Sequence, residues 1–170
     1  MLRFIIKMLF LLTATYSGLL NAQSLELTLT VPRLQVAEYH RPYIAIWVAR
    51  ADKSVARNLA VLYDLEMEDD EGKKWLKDLR QWWRRSGRSL DMPVDGLSGA
   101  TRVPGQHQWV FQTQLSGLEA GDYSLVVEAA REVGGRELLS LPFQWPPTEE
   151  QRSQVQGQSE LGELKLRVFR

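Results

Sequence analysis

Few side chains in this 170-residue sequence are arranged to do chemistry. It has no cysteine, which excludes disulfides, thiolate zinc sites, iron–sulfur clusters and thioether-linked haem. Two histidines, His40 and His107, are too few for a histidine-built metal centre. The run EMEDDEG offers Glu66, Glu68, Asp69, Asp70 and Glu71 as hard oxygen donors, but without the spacing of a calcium loop, so it reads as a solvated turn. Arg80, Arg84, Arg85 and Arg88 have the chemistry to pair with phosphate or an acidic partner, yet their positions fit the wet face of a helix. His40, between Tyr39 and Arg41, reads as a structural residue ahead of a strand. No Ser–His–Asp order and no paired-carboxylate spacing stands out, which leaves a hydrolase or metalloenzyme without its residues. What remains is DGLSGAT, residues 95–101, where three small residues present the hydroxyl of Thr101.

The elements that must position this stretch are mostly strands. Arg3 and Lys7 precede the apolar run MLFLLTATYSGLL, and NAQS follows, which is the pattern of a secretory signal peptide cut near Ala22. The apolar run is too short and too interrupted for a span of about 20 apolar residues. Without residues 1–22 the chain keeps 19 basic and 21 acidic side chains, a net charge of −2. That balance gives no support for nucleic-acid binding, which shows as a basic footprint. Residues 23–170 are the size of one domain. Period-two alternation predicts strands around Leu25–Val31, in YIAIWVAR, in RNLAVLYD, through Trp109, Phe111 and Thr113, in GDYSLVVEAARE, from Leu139 to Trp145, and at Leu164, Leu166 and Val168. YIAIWVAR is apolar on both faces. About seven short strands predict an immunoglobulin-like two-sheet sandwich.

One segment breaks the alternation. KKWLKDLRQWW puts Trp75, Leu76, Leu79, Trp82 and Trp83 on one stripe, which predicts an amphipathic helix near 73–85 covering a sheet edge or one end of the sandwich. The six tryptophans mostly take core-facing positions, although Trp75, Trp82 or Trp83 would reach a ligand if the helix borders the motif. Residues 86–106 show no period and predict a long loop, a length usually tied to function or disorder. PPTEEQRSQVQGQSE reads as a polar surface connection to the last strand.

Asp95, Ser98, Gly99, Ala100 and Thr101 match the Asp-x-x-Ser/Thr-Gly-Ala-Thr signature of covalent flavinylation sites. In proteins with that signature an exported flavin transferase moves the FMN part of FAD onto the threonine hydroxyl. The resemblance makes Thr101 the residue that carries FMN. Gly99 and Ala100 would allow close backbone approach, and Asp95 would orient the loop or help activate the acceptor. A wider resemblance comes from YHRPYIAIWVAR, KKWLKDLRQWWRR, DGLSGATRVPG and GDYSLVVEAAREVGGRE in that order. These are similar to the periplasmic domain-of-unknown-function family 2271, which is associated with flavin transferases and PepSY-type membrane proteins.

The expectation is therefore a periplasmic flavoprotein with covalent FMN at Thr101, taking part in extracytosolic electron transfer. It would be an electron carrier with no catalytic residues and no metal of its own. The alternative is a flavin-free accessory sandwich that binds a membrane partner through its helix face or an edge strand.

Overall fold

Apolar alternation builds nine strands among the residues that the computed structural model describes, 23–170. The expected signal segment, 1–22, lies outside the described residues. The strands are β1 (Ser24–Val31), β2 (Tyr43–Ala49), β3 (Val55–Tyr63), β4 (Ser98–Ala100), β5 (Gly105–Phe111), β6 (Gly121–Ala130), β7 (Arg136–Trp145), β8 (Gln151–Gln156) and β9 (Glu163–Phe169). They form a four-stranded sheet of order β5-β1-β9-β8 and a five-stranded sheet of order β4-β3-β2-β6-β7. Every neighbouring pair is antiparallel except β3 and β4. The sandwich is the expected one, with two more strands. β8 lies in the stretch expected to be a connection, because QRSQVQ has one strongly apolar residue, Val155, and shows no amphipathic signal. β5 ends at Phe111, and Thr113 instead opens a 3-10 turn, Thr113–Leu115.

The inner faces meet as alternation requires. Leu25, Leu27 and Leu29 of β1 and Leu164, Leu166 and Val168 of β9 pack against Ile44, Ile46 and Val48 of β2 and Leu125 and Val127 of β6. Each fully buried aliphatic chain stabilises by roughly 1.5–3 kcal/mol, so this layer needs no covalent staple.

β2 is apolar on both faces because there is a third layer. Ala45, Trp47 and Ala49 face away from the sandwich core and pack, with Val61, Tyr63 and Val126, on Leu76, Leu79 and Trp82. The helical segment thus lies flat on the outer face of the five-stranded sheet, not over an edge or an end. It is also broken into short pieces: α1 (Glu71–Lys74), a 3-10 turn (Trp75–Asp78), and α2 (Arg80–Arg85), with Leu79 at φ −74°, ψ 66° between them. The buried positions 76, 79 and 82 recur every three residues, the repeat of 3-10 turns rather than of an α-helix. That rotation carries Trp75 out of the expected stripe, to 39 % exposure.

Two anchors hold the segment down. Glu128 of β6 is fully buried, and its carboxylate accepts the backbone N–H groups of Gln81 (3.0 Å) and Trp82 (2.8 Å) at the start of α2, and Nη1 of Arg136 (2.8 Å). Trp82 Nε1 donates to Asn58 Oδ1 at 2.9 Å. Of the other tryptophans, Trp47 and Trp145 are buried as expected, while Trp83 and Trp109 are partly so.

Candidate functional site: a cavity at the end of an edge strand

The stretch expected as a loop contains β4, a three-residue strand on the edge of the five-stranded sheet. Its backbone is fixed by small-residue turn chemistry. Residues 95–97 form a turn with Gly96 at φ +70°, a conformation glycine takes without steric cost. Ser98 Oγ accepts the Val94 N–H at 2.9 Å, and the Ser98 N–H donates to the Val94 carbonyl at 2.9 Å. Leu97 is buried in the layer beneath the helical segment, and its carbonyl accepts the Val61 N–H at 2.8 Å. β4 then runs parallel to β3, with Ser98, Gly99 and Ala100 beside Val61, Leu62 and Tyr63. A Cβ at Gly99 would lie 3.0 Å from Leu62 Cδ2, so the small residue suits close strand packing. A strand this short leaves no period to read, which is why the sequence did not predict it.

Thr101 opens the crossing from β4 in one sheet to β5 in the other. That crossing is braced by Arg102 over the Trp109 ring (5.8 Å) and by a 2.8 Å hydrogen bond between His107 Nε2 and the Val103 carbonyl. Asp95 is exposed, and neither its carboxylate nor the Thr101 hydroxyl makes a hydrogen bond among the described residues.

Thr101 also lines a cavity of about 260 Å³. One wall comes from the segment before β2 (Tyr39, His40, Arg41) and from Tyr43 at its start. Asp64 and Met67, between β3 and the helical segment, and Trp75 and Asp78 within it make another, and Ala130, Arg131 and Glu132 at the end of β6 close the third. The helical segment comes close here because of Gly72, where a Cβ would stand 1.9 Å from the Asp64 carbonyl oxygen.

The charges in the wall are mixed and mostly tied to one another. Arg131, 6 % exposed, donates from Nε and Nη2 to the Glu160 carboxylate (2.9 and 3.2 Å), which also accepts the Gly135 N–H at 2.7 Å. Arg131 Nη1 and the Tyr39 hydroxyl are buried without a partner among the described residues. Burial raises the Tyr39 hydroxyl above the ordinary tyrosine range although Arg131 pulls it down, and burial likewise raises Tyr43. His40 sits between two carboxylates, Glu38 at 3.0 Å from Nε2, off the line of a hydrogen bond, and Glu132 at 3.5 Å from Nδ1.

Tertiary structure therefore brings together one expected site residue, Thr101, and several that sequence reading passed over. Tyr43 and Arg131 carry no local signal, being read only as strand residues. His40, read as structural, shares the cavity with Thr101. Asp95 and Ser98 do not line it. The acidic run is partly ion-paired, Asp70 with Lys73 at 2.9 Å and Glu71 with Lys74 at 2.8 Å, and the arginines at 80, 84, 85 and 88 are exposed.

Fold and site together define a two-sheet β-sandwich with a helical layer and an edge-strand cavity. The chain belongs to the DUF2271 family of predicted periplasmic proteins, whose profile matches residues 24–163. The protein is periplasmic. None of the curated proteins and none of the solved structures matches it.

Proposed function

We propose that the protein is a periplasmic electron carrier with FMN joined through its phosphate to Thr101. In the attachment step the Thr101 hydroxyl oxygen displaces AMP from the FMN phosphorus of FAD. One P–O bond of the pyrophosphate breaks, one phosphoester bond forms, and the hydroxyl proton passes to a base of the transferase. The flavin then supplies redox chemistry that no side chain of the chain offers. Its electrons would pass to or from a membrane redox protein of the PepSY type.

One contrast within the motif carries this reading. Ser98 spends its hydroxyl on the Val94 amide, whereas Thr101 leaves its own uncommitted among the described residues, beside a cavity walled partly by Tyr43 and Trp75. A motif kept only for its turn would need Ser98 and Gly96 but not Thr101.

The test is the intact mass of the protein produced with an active flavin transferase. The expected gain is one FMN phosphoester, about 440 Da, absent from a Thr101→Ala variant. An unchanged mass, with the transferase active on a control substrate, overturns the proposal and leaves a flavin-free accessory sandwich as the better account.

A further inference from the structure

The geometry points to the cavity beside Thr101 as the seat of the flavin ring, entered by its pyrimidine edge and hydrogen-bonded by Tyr39 and Arg131. This rests on the reading of Thr101 as the FMN-bearing residue. Three observations carry it.

The first is unspent hydrogen-bonding capacity. Tyr39 and Arg131 line the same cavity, and the Tyr39 hydroxyl and Arg131 Nη1 are buried without partners among the described residues. A buried polar group left unpaired costs about 1–3 kcal/mol. Glu160 clamps the Arg131 guanidinium through Nε and Nη2, so the free Nη1 is held by the fold and not by solvent. A ligand carbonyl brought against them by a small shift of the wall would satisfy both donors.

The second is charge. Asp64, Asp78 and Glu132 line the cavity, and Glu160 already pairs with Arg131. Against Arg41 and Arg131, the two arginines of the lining, four carboxylates in and behind the wall leave an excess of negative charge that disfavours the phosphate end of FMN. A neutral edge that alternates acceptor, donor and acceptor suits a wall with both donors and carboxylates. The pyrimidine edge of the flavin, with the C2 carbonyl, N3–H and the C4 carbonyl, is such an edge. The phosphate stays outside, on Thr101.

The third is size. Small-molecule clefts enclose roughly 300–1,000 Å³, and this one is about 260 Å³. It takes one end of a tricyclic ring and leaves the dimethylbenzene end at the mouth, where an electron-transfer partner can approach. Trp75, 39 % exposed in the lining, offers an indole face to the part of the ring that projects.

The experiment uses the full exported protein made with a flavin transferase, alongside Tyr39→Phe, Trp75→Ala and Arg131→Lys variants. An exposed-face Arg84→Ala variant serves as control. Mass is read first. The attached flavin's fluorescence and its midpoint potential under dithionite titration follow. On reduction the ring takes two electrons from dithionite and one proton at N5 from solvent, leaving negative charge around N1 and the C2 carbonyl, where Arg131 and Tyr39 donate. Expected are emission several-fold below that of free FMN, recovered in Trp75→Ala, and a tenfold loss in preference for the reduced form in Tyr39→Phe. For this two-electron couple that loss is a downward shift of about 30 mV.

Should Arg131→Lys fail to fold, Tyr39→Phe and Trp75→Ala still decide. Full mass on Thr101 with free-FMN emission, and a potential unchanged in both variants, overturns the ring site while leaving attachment intact. If no mass is gained, attachment fails. Riboflavin titrated into the unmodified protein then decides the cavity alone: saturable quenching weakened by Tyr39→Phe supports it, and no quenching overturns it.

Discussion

At the scale of the residue, two hydroxyls three positions apart have opposite roles. Ser98 Oγ is the acceptor for the Val94 amide and closes the turn that launches β4. Thr101 contributes nothing comparable to the backbone. Ser98→Ala should therefore cost about 0.5–1.5 kcal/mol, the net value of one hydrogen bond, read as a lower midpoint in urea unfolding. Thr101→Ala should stay within about 0.5 kcal/mol of the parent, as substitutions away from structural features do. The reverse order would make Thr101 the structural residue and remove the contrast on which its proposed role rests. Asp95 was legible as part of a motif, yet it is exposed and outside the cavity. In the proposed attachment, Asp95 would act on the incoming enzyme or cofactor rather than on Thr101 through a hydrogen bond in the resting fold.

At the scale of the element, the helical segment shows how tertiary packing overrides a periodic pattern. The apolar residues of KKWLKDLRQWW predicted an unbroken stripe, but the outer face of β2, β3 and β6 takes Leu76, Leu79 and Trp82, and the chain breaks at Leu79 to supply them. The buried Glu128 carboxylate then receives the free amides at the start of α2, a helix with no side-chain cap of its own. Gly72 tests this docking. By propensity alone, alanine in a helix is better than glycine by about 1 kcal/mol. Here the added Cβ would stand 1.9 Å from the Asp64 carbonyl oxygen, a backbone atom that cannot turn aside. Gly72→Ala should destabilise the protein by about 1–3 kcal/mol, the usual cost of overpacking. Thermal unfolding measures the sign directly, and a stabilised variant would show that the segment does not dock as described. The same substitution should disturb the cavity, because Asp64 is part of its wall.

At the scale of the whole molecule, the four-stranded sheet is locked at its β8 edge by charge as well as by its ladder. Arg152 and Arg167 stand directly opposite one another on β8 and β9, a like-charge pair that is unfavourable by itself. Glu150 sits between them and accepts from both, at 2.9 and 3.0 Å from Arg167. The hydrogen bond from Arg167 lowers the Glu150 carboxyl from its ordinary 4.5 to about 2. A carboxyl depressed in the folded state stabilises the fold above its unfolded value, and that contribution is lost as pH falls through the folded one. The melting-temperature gap between the parent and Glu150→Gln should be full above pH 4.5 and close as pH falls toward about 2. A gap that is constant across this range would show that Glu150 is not bridging the two arginines. Glu137 works in the same sense: burial raises its carboxyl, but amides of Gln158, Leu161 and Ser159 outweigh that and hold it below the ordinary value.

The sequence by itself determined the class of fold, seven of the nine strands, the two apolar faces of β2 and the motif around Thr101. It could do so because period-two alternation and turn chemistry are local properties, written within a few residues. It did not determine β4, too short to show a period, or β8, whose QRSQVQ has one strongly apolar residue. Nor did it determine the site around the motif. Thr101 shares a cavity with Tyr39, Tyr43, Trp75 and Arg131 only because β4 adds to the edge of β3, and because the helical segment lies across the same sheet. That cavity gathers residues as far apart along the chain as Tyr39 and Arg131. Its physical cause, burial of a second apolar face and the pairing of one short strand, exists only once the sandwich has formed.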